Sequence, residues 1–348
     1  MLLTRDFQRT PTSVVRGYLY LASYLLLFLL TSMCLSAHPR FRVLLHNWFE
    51  GIHRFAGWLS VLLFWAQAVL LAADAASPER PLGRALAASP SVWLLLLTTL
   101  LIIYPWTRLR RRAVEARVLS PHCVELAFRH GTVRYGQAIR LTDAPLSETH
   151  AFGVIPFPAA PSPPSSSHCQ SCTCTAPPPL PRAGEKGFSV IVSAAGDWTR
   201  KIIAHPPTHI GVRGAPQFGV LRVAGLFRPV VLVATGSGIA PILSFLVQKP
   251  RDHPVRVVWS ARRPRETYGD EVVDAVYRAD PEAVVVDTVV GEGKGRGYRP
   301  DLVRVVYRVW EKGACEGVVV ISNQKVTRKI VYGLETRGVS VFGAIFDS

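Results

Sequence analysis

Three long runs without a charged residue lie in the first third of this chain, over residues 17–37, 55–73 and 85–106. Each run is close to the roughly 20 apolar residues that a helix needs to cross a bilayer. Buried helices of a soluble bundle are a weaker interpretation, because later segments mix apolar and polar residues. The first run is also long for a signal peptide and lacks an obvious cleavage site. We therefore predict a membrane domain with three transmembrane helices over residues 1–107.

The distribution of arginines predicts how these helices are oriented. Four arginines lie within residues 108–112, and arginines beside a span favour its cytosolic side. The rest of a multi-pass integral membrane protein would then face the cytosol, at the plasma membrane or the endoplasmic reticulum. Three arginines within residues 1–16 would lie outside, against the same rule, unless a further span precedes them or the N-terminal helix lies on the membrane. The net charge of +16 fits a partnership with anionic membrane lipid, and no nucleic-acid-binding motif accompanies it.

The segment VVLVATGSGIAPILSF, residues 230–245, predicts a buried strand, a tight turn and a helix. Gly236 and Gly238 free the backbone to turn, and Pro241 stands where a helix begins, a place where its missing N–H costs nothing. Amides at such a helix start bind phosphate, so we predict a dinucleotide site. Pro241 replaces the third glycine of the dinucleotide fingerprint, and a plain tight turn is the alternative. The candidate binding residues are Thr235, Gly236, Ser237, Gly238 and Pro241.

The regions on either side of this turn predict two further domains. Short β-rich pieces broken by turns precede it, at residues 114–120, 123–130, 137–143, 188–195 and 210–216. They indicate an antiparallel β-barrel over 108–225, with a Pro/Ser-rich insertion at 159–181. Strands 255–261, 283–290 and 317–323 then alternate with helical stretches 269–278, 299–311 and 325–337. This alternation is typical of a doubly wound α/β domain, here over 226–348.

The six cysteines form no regular framework, as in a reduced cytosolic domain. His168, Cys169, Cys172 and Cys174 form a cluster that could hold zinc, but it lies in the Pro/Ser-rich insertion without a second ligand pair. We predict no metal site. A disordered surface insertion, which could carry a palmitoylated cysteine, is the favoured interpretation.

A barrel followed by a nucleotide-binding α/β domain is the order of the ferredoxin-reductase-like flavoproteins, and several short motifs carry the same resemblance. ATGSGIAP at 234–241 resembles their nicotinamide-nucleotide loop. GDWT at 196–199 and HAF at 150–152 resemble the GDWT and HPF flavin segments of the ferric reductase and NADPH oxidase branch. With the membrane segment HNWFEGIHRFAGW at 46–58, nearly the whole chain is similar to the fungal TmpA-type integral membrane flavoproteins.

The resemblance implies FAD as a cofactor that takes hydride from NAD(P)H. The electrons would pass to a small molecule, in making a developmental signal or a secondary metabolite. The alternative function is a non-catalytic flavin or nucleotide sensor. The residues implied to contact cofactor are His150, Phe152, Gly196, Asp197, Trp198, Thr199, Arg213 and Gly214, with Arg200 and Lys201 near the flavin diphosphate. A loop histidine at His150 and a barrel-core role for Trp198 are the alternatives.

The adenosine end of the dinucleotide is predicted to follow the strand VRVVWSA, residues 255–261. Ser260, Arg262 and Arg263, with Tyr268 beyond, stand where NADPH-specific relatives grip the 2′-phosphate, which guanidinium groups bind well. No acidic residue ends this strand to hold a free ribose hydroxyl, so NADPH is favoured over NADH. A solvated basic loop is the alternative.

The chain also departs from the family pattern at the hydride-transfer locus. Ala151 replaces a proline, Gly153 replaces the hydroxyl residue near the flavin N5, and Ser322-Asn323 replaces Cys-Gly. A weakened or differently tuned reaction is therefore an option, and the catalytic residues stay unassigned. The Gly-rich residues 293–297 lack a strand–turn–helix context and are predicted to be a flexible connection.

The electron acceptor is expected to be a separate molecule. His38, His46 and His53 lie in one predicted connecting segment and the three apolar runs contain no histidine, so we expect no haem. No cysteine spacing suits an iron–sulfur cluster. A lipid-soluble metabolite, a quinone or a partner protein remain as acceptors. Gln67 in the second run is assigned to helix packing.

Overall fold

The computed structural model describes residues 12–38, 41, 46–145, 148–157, 186–250, 252–289 and 300–344. The chain divides into two compact units, Met1–Thr107 and Arg108–Ser348. The cysteine-containing insertion at 159–181 and the Gly-rich residues 293–297 lie outside the described residues.

The first unit is helical and contains four described helices. They are α1 (Thr12–Ser36), α2 (His46–Asp74), α3 (Leu82–Ala87) and α4 (Pro90–Thr107). Three segments of them are long and apolar enough to cross a membrane: Val14–Ser36, Gly51–Asp74 and Pro90–Thr107. Three apolar helices were expected in these places and are confirmed.

Two boundaries in this unit differ from the sequence interpretation. The third apolar run is interrupted, because α3 ends at Ala87 and α4 begins at Pro90, where a missing N–H is tolerated. Helix α2 begins at His46, so His53 lies inside a candidate span and not in a connecting segment, and its Nδ1 lies 2.9 Å from the Phe49 carbonyl oxygen.

Polar contacts join the helices of the first unit. Gln67 Nε2 donates to Ser23 Oγ over 2.9 Å, and Trp65 Nε1 donates to Thr99 Oγ1 over 3.0 Å. Arg16 Nε lies 3.7 Å from Asp74 Oδ1, so the start of α1 and the end of α2 are neighbours. The helix-packing role predicted for Gln67 is confirmed. Such bonds are the usual means of joining helices that have apolar surroundings.

Eight strands form the antiparallel part of the second unit. They are β1 (Leu109–Ala113), β2 (Glu115–Ser120), β3 (Cys123–Phe128), β4 (Gln137–Thr142), β5 (His150–Gly153), β6 (Ile155–Pro156), β7 (Phe188–Ser193) and β8 (His209–Phe218). The sheets have the orders β1-β8-β4-β5 and β2-β3-β7-β6. The predicted antiparallel strands are present in two sheets, and a closed barrel stays a prediction.

Bends at single residues link the two antiparallel sheets. Val114 separates β1 from β2, and Val154 separates β5 from β6, so the chain passes twice from an edge of one sheet to an edge of the other. The side chains between the sheets form one buried apolar cluster, which includes Leu126, Leu141 and Val190. Helix α5 (Asp197–Ala204) adds Trp198 to this cluster.

The remainder of the second unit is a parallel α/β sandwich. Its strands are β9 (Val230–Thr235), β10 (Val255–Ala261), β11 (Val284–Asp287), β12 (Gly317–Ile321) and β13 (Val341–Ala344). Its helices are α6 (Ile239–Gln248), α7 (Pro264–Tyr268), α8 (Asp270–Ala279), α9 (Leu302–Lys312) and α10 (Gln324–Glu335). All strand pairs are parallel, in the order β11-β10-β9-β12-β13.

The order of these strands determines where a ligand can bind. Apolar side chains of α6 and α8 cover one face of the sheet, and those of α9 and α10 cover the other. The predicted doubly wound α/β arrangement is confirmed. Because β12 lies beside β9 and not beside β11, the strand order reverses between β9 and β12. Ligands of such sheets bind outside the carboxyl ends of the strands at this reversal.

Side-chain contacts fix the antiparallel part against the α/β part. Arg117 of β2 places Nη2 2.8 Å from both Glu125 Oε2 and Glu271 Oε2, and the Glu125 side chain is nearly buried. The Gly136 N–H donates to Ser244 Oγ of α6 over 3.1 Å. The predicted boundary after residue 225 stays a prediction within this single compact unit.

Candidate functional site

A cleft of about 770 Å³ opens at the carboxyl ends of the parallel strands. One wall is formed by β5 and β7, and the floor by the turn after β9 together with the end of β12. The opposite wall comes from the start of α9 and from α10. The cleft therefore lies at the strand-order reversal and adjoins the antiparallel sheets.

The turn after β9 has a backbone that requires glycine. Gly236 has φ +51°, in the left-handed region, and its carbonyl oxygen accepts a hydrogen bond from Trp259 Nε1 over 3.0 Å. A Cβ atom at Gly238 would overlap the carbonyl oxygen of Ile321. Helix α6 begins directly after this turn, and its first N–H groups lack partners within the helix. All five residues predicted for the dinucleotide loop line the cleft, from Thr235 to Pro241.

The strand β5 presents the predicted flavin residues His150 and Phe152 to the cleft. Trp198 supports both, since its ring centroid lies 4.4 Å from that of His150 and 5.9 Å from that of Phe152. Trp198 itself is 7% exposed and does not line the cleft, as expected for the alternative role in the core. The predicted flavin contact of Trp198 stays a prediction, and its observed role is to pack against His150 and Phe152.

The rest of the GDWT segment caps helix α5. Thr199 lines the cleft, and its Oγ1 accepts hydrogen bonds from the N–H groups of Ala195 and Gly196, each over 2.9 Å. Gly196 and Asp197 lie outside the cleft lining. The segment therefore reaches the cleft through Thr199 alone.

The basic residues after this segment are paired with carboxylates. Arg200 Nη2 donates to Asp197 Oδ1 over 2.5 Å, and Lys201 Nζ donates to Asp143 Oδ2 over 2.7 Å. Burial acts to raise the pKa of Asp143, but the hydrogen bonds from Lys201 and Trp198 and the charge of Lys201 together outweigh it, so the pKa is lowered. Neither cation lines the cleft, and their position near a flavin diphosphate stays a prediction.

Arg213 and Gly214 also lie away from the cleft. Arg213 stands within β8, opposite Leu109 of β1 and Arg140 of β4, so the sheet register holds it between two neighbouring strands. Gly214 has φ +76°, and its N–H donates to the Arg108 carbonyl oxygen over 3.4 Å. The glycine thus allows a local bend in β8, and its predicted contact with a cofactor pyrophosphate stays a prediction.

The adenosine-end residues divide into two groups. Ser260 and Arg262 line the cleft. Arg263 does not, because its N–H donates to Asp287 Oδ1 over 3.0 Å and its guanidinium lies 3.4 Å from Glu266. Asp287 ends β11 and holds this loop by its backbone, which explains why two adjacent arginines have different surroundings.

Tyr268, the last residue predicted for the adenosine end, is buried beside Trp259, with ring centroids 5.4 Å apart. Burial raises the pKa of its hydroxyl. It does not line the cleft and packs beneath the glycine turn, and its predicted cofactor contact stays a prediction.

Ser322 and Asn323 are fixed at the end of β12 and both line the cleft. Ser322 Oγ is hydrogen-bonded to Thr235 Oγ1 across the strand-order reversal. Asn323 Oδ1 accepts from the Val326 N–H over 3.1 Å and caps α10. The two residues therefore join the floor of the cleft to the start of α10.

Gly153 is a glycine because α6 lies directly against it. A Cβ atom at this position would lie 2.8 Å from Pro241 Cγ and 3.1 Å from Pro241 Cα. The hydroxyl residue that family members carry here would not fit without movement of α6. The departure at Gly153 thus follows from the contact between β5 and the helix after the nucleotide turn.

Two cationic residues of the cleft were not identified in the sequence analysis. Lys325 and Lys329, one turn apart on α10, both line it. Among the lining residues that the structure describes, cations are present and no aspartate or glutamate is. The spacing of the two lysines just after the last predicted strand was the available signal, but such pairs usually mark a solvated helix face. The lining suits anionic, phosphate-bearing ligands.

No group of three or more histidine, cysteine, aspartate or glutamate side chains that could hold a metal ion occurs in the part of the chain that the structure describes. The cysteine cluster for which zinc was weighed lies outside those residues.

A doubly wound sheet with a glycine turn at its strand-order reversal is the arrangement in which many α/β proteins bind dinucleotides. A family model described as the C-terminal domain of Adenylate-forming reductase 03009 matches residues 220–348, which include the whole parallel sheet. The chain is 40% identical to Adenylate-forming reductase 03009 of Coprinopsis cinerea over 326 residues, which is 94% of this chain and 29% of that protein. Adenylate-forming reductase 06235 of the same fungus is also 40% identical, over 327 residues and with the same coverage.

The chain therefore spans less than a third of the length of these relatives. Because the match leaves only 6% of this chain unmatched, it has to include most of the helical unit Met1–Thr107. The closer resemblance to TmpA-type flavoproteins stays a prediction.

Solved structures with a similar arrangement are distant in sequence. A flavohemoglobin from Malassezia yamatoensis with bound FAD and heme is 14% identical, with 96% of this chain and 98% of that chain covered and a TM-score of 0.49. A mutant ferredoxin-NADP+ reductase from Plasmodium falciparum in complex with 2′P-AMP is 12% identical, with 67% and 95% covered and a TM-score of 0.45.

The contact between Gly153 and Pro241 is testable by substitution. Gly153→Ser should lower the free energy of unfolding by about 1–3 kcal/mol, the range for overpacking a close contact. Adding Pro241→Ala should recover part of the loss, with a coupling of at least about 0.5 kcal/mol, because it removes the closest atom. Gly196→Ser is the matched control, since a Cβ there has nothing within 4 Å. Denaturant unfolding followed by tryptophan fluorescence measures five proteins: the unchanged chain, Gly153→Ser, Pro241→Ala, the double variant and the control. Equal midpoints for Gly153→Ser and the unchanged protein would contradict the packing argument.

Proposed function

We propose that the chain is a membrane-anchored oxidoreductase that passes hydride from NAD(P)H to FAD in the cleft and on to a small-molecule acceptor. One observation carries the proposal: the glycine turn after β9 and the aromatic-backed strand β5 share a single cleft, with Gly153 packed on Pro241. A phosphate-binding turn and a surface for a flat ring system are thus neighbours. The word reductase in the names of both curated relatives supports the same class of activity.

The dinucleotide would be held by the turn and by α6. The diphosphate would face the amino end of α6, close to Gly236 and Gly238. The guanidinium of Arg262 would bind the 2′-phosphate of NADPH, for which its planar donors are suited. NADPH is therefore the preferred donor, with NADH as a weaker one.

FAD would lie along β5. His150 and Phe152 would contact its ring system and be held in place from behind by Trp198, while Thr199 would fix the start of α5 beside the diphosphate. Bound FAD supplies hydride acceptance and onward electron transfer. The chain's own part is to hold both cofactors at one seam, since the Ser322–Thr235 pair fixes the floor between them.

The acceptor is proposed to be a separate small molecule, such as a lipid-soluble metabolite or a quinone, or a partner protein. A diffusible developmental signal or a secondary metabolite would be the product. The second candidate function is a non-catalytic flavin or nucleotide sensor. It is favoured by Gly153 and by Ser322-Asn323, which replace the residues that family members carry at the hydride-transfer locus.

Membrane anchoring rests on the three apolar helices and their exposed side chains. Leu27, Leu62 and Leu94 are 63%, 66% and 65% exposed, which a protein in water would not maintain over three long helices. Anionic lipid is the proposed partner and the cytosol the proposed compartment of residues 108–348.

We expect the chain to stay in the membrane pellet after an alkaline carbonate wash of expressing cells. Release into the supernatant, with a known integral protein retained, would contradict the proposal.

The redox proposal is tested by the absorbance of the detergent-purified chain before and after anaerobic addition of NADPH. A flavin absorbance band at about 450 nm should be present, and it should bleach when NADPH reduces the flavin. A band that persists under excess NADPH would favour the sensor. A preparation without the band, even after incubation with FAD, would contradict both the oxidoreductase and a flavin sensor.

The role of Arg262 is tested against its neighbour. Arg262→Gln should weaken NADPH binding by about ten- to a hundredfold, the effect of losing a charged hydrogen-bonding partner, and should change NADH binding little. Arg263→Gln is the matched control, because Arg263 lies outside the cleft and faces Glu266. Titration of both nucleotides against each variant measures the four affinities. Equal losses of NADPH and NADH affinity in Arg262→Gln would contradict the role in 2′-phosphate binding and favour a solvated loop residue.

A further inference from the structure

The wall of the cleft that α9 and α10 form combines apolar side chains with two lysines. Five apolar side chains line it, from the start of α9 and from α10: Pro300, Leu302, Val303, Val326 and Ile330. Ile330 is fully buried and belongs to the apolar cluster on this face of the sheet. Close contact between the helices keeps the wall rigid, since a Cβ at Gly333 of α10 would lie 2.7 Å from Val303 Cγ1.

Two cations stand beside these apolar residues. Lys325 and Lys329 are exposed, lie four residues apart on α10, and so project from one face of the helix. Both line the cleft, whereas the intervening Arg328 is exposed and does not. Two of the three cations of this helix therefore line the cleft.

This wall lies on the other face of the parallel sheet from the flavin strand. Gly153 of β5 packs on Pro241 of α6, which covers the first face. Helices α9 and α10 cover the second face. The glycine turn and Arg262, which the proposed function assigns to the dinucleotide, come from β9 and β10. The α9–α10 wall thus supplies binding surface beyond those groups.

We infer that the α9–α10 wall is a separate site for an amphipathic anion, a molecule with an apolar body and one phosphate or carboxylate group. The apolar body lies against Leu302, Val303 and Val326, and the anionic group lies between Lys325 and Lys329. Burial of apolar area and pairing with two ammonium groups are the two sources of affinity. The inference concerns binding alone, so it holds or fails independently of the proposed redox reaction.

The test uses the full chain in nanodiscs of neutral lipid and measures heats of binding without added nucleotide. The probes are inorganic phosphate, phenyl phosphate, 1-naphthyl phosphate, 1-naphthoate and the uncharged 1-naphthylmethanol. Affinity should rise along the three phosphates as the apolar body grows, and the uncharged probe should bind weakest among the naphthyl compounds. The stronger of 1-naphthyl phosphate and 1-naphthoate identifies which anionic group the site prefers.

The double variant Lys325→Gln/Lys329→Gln should weaken the preferred naphthyl anion by at least about tenfold, while Arg328→Gln should stay within about twofold. Equal losses in the two variants, or equal binding of the uncharged probe, would overturn the inference. Displacement of the anion by saturating NADPH would also overturn it, because the lysines would then belong to the nucleotide site.

Discussion

The close approach of Gly238 to the carbonyl of Ile321 is the contact on which the cleft depends. It brings the turn after β9 onto the end of β12, the two strands between which the sheet reverses its order. Any side chain at residue 238 would separate them. Because Ser322 follows Ile321 directly, the same contact also places Ser322 against Thr235 and sets the start of α10. One missing Cβ atom therefore positions the turn, the floor of the cleft and its far wall.

Much of this architecture could be predicted from local sequence patterns. The β-branched run at Val230–Thr235 leaves few alternatives to a buried strand, and the glycines that follow allow a tight turn. The alternation of apolar strands with amphipathic helices predicted the doubly wound sheet, which the structure confirms. The uncharged runs predicted the long helices of the first unit. Their ends were less predictable, because Pro90 starts a new helix within a run that contains no charged residue.

The side-chain assignments depended on contacts that lie far apart in the chain. Arg262 and Arg263 are the same residue type in the same loop, and Asp287 on the neighbouring strand separates their roles. Trp198 belongs to a motif associated with flavin, yet α5 turns its indole into the core behind His150. The four-residue spacing of Lys325 and Lys329 is typical of a solvated helix face. Only the position of α10 beside β12 makes them part of the cleft. None of these three relationships can be inferred from the spacing of residues in the sequence.

The bridge from Arg117 to Glu125 and Glu271 bears on what holds the two parts of the second unit together. It connects the antiparallel sheets to α8 through a guanidinium shared by two carboxylates, one of them nearly buried. Separating the two parts would break the pair with Glu271, whose side chain is 42% exposed, and would leave Arg117 paired with Glu125 on the neighbouring strand of its own sheet. Such a partly exposed ion pair contributes little to stability. The spacing of the two parts at the cleft therefore depends on their packed contacts with α6, Gly153 against Pro241 and Gly136 against Ser244, and not on this bridge.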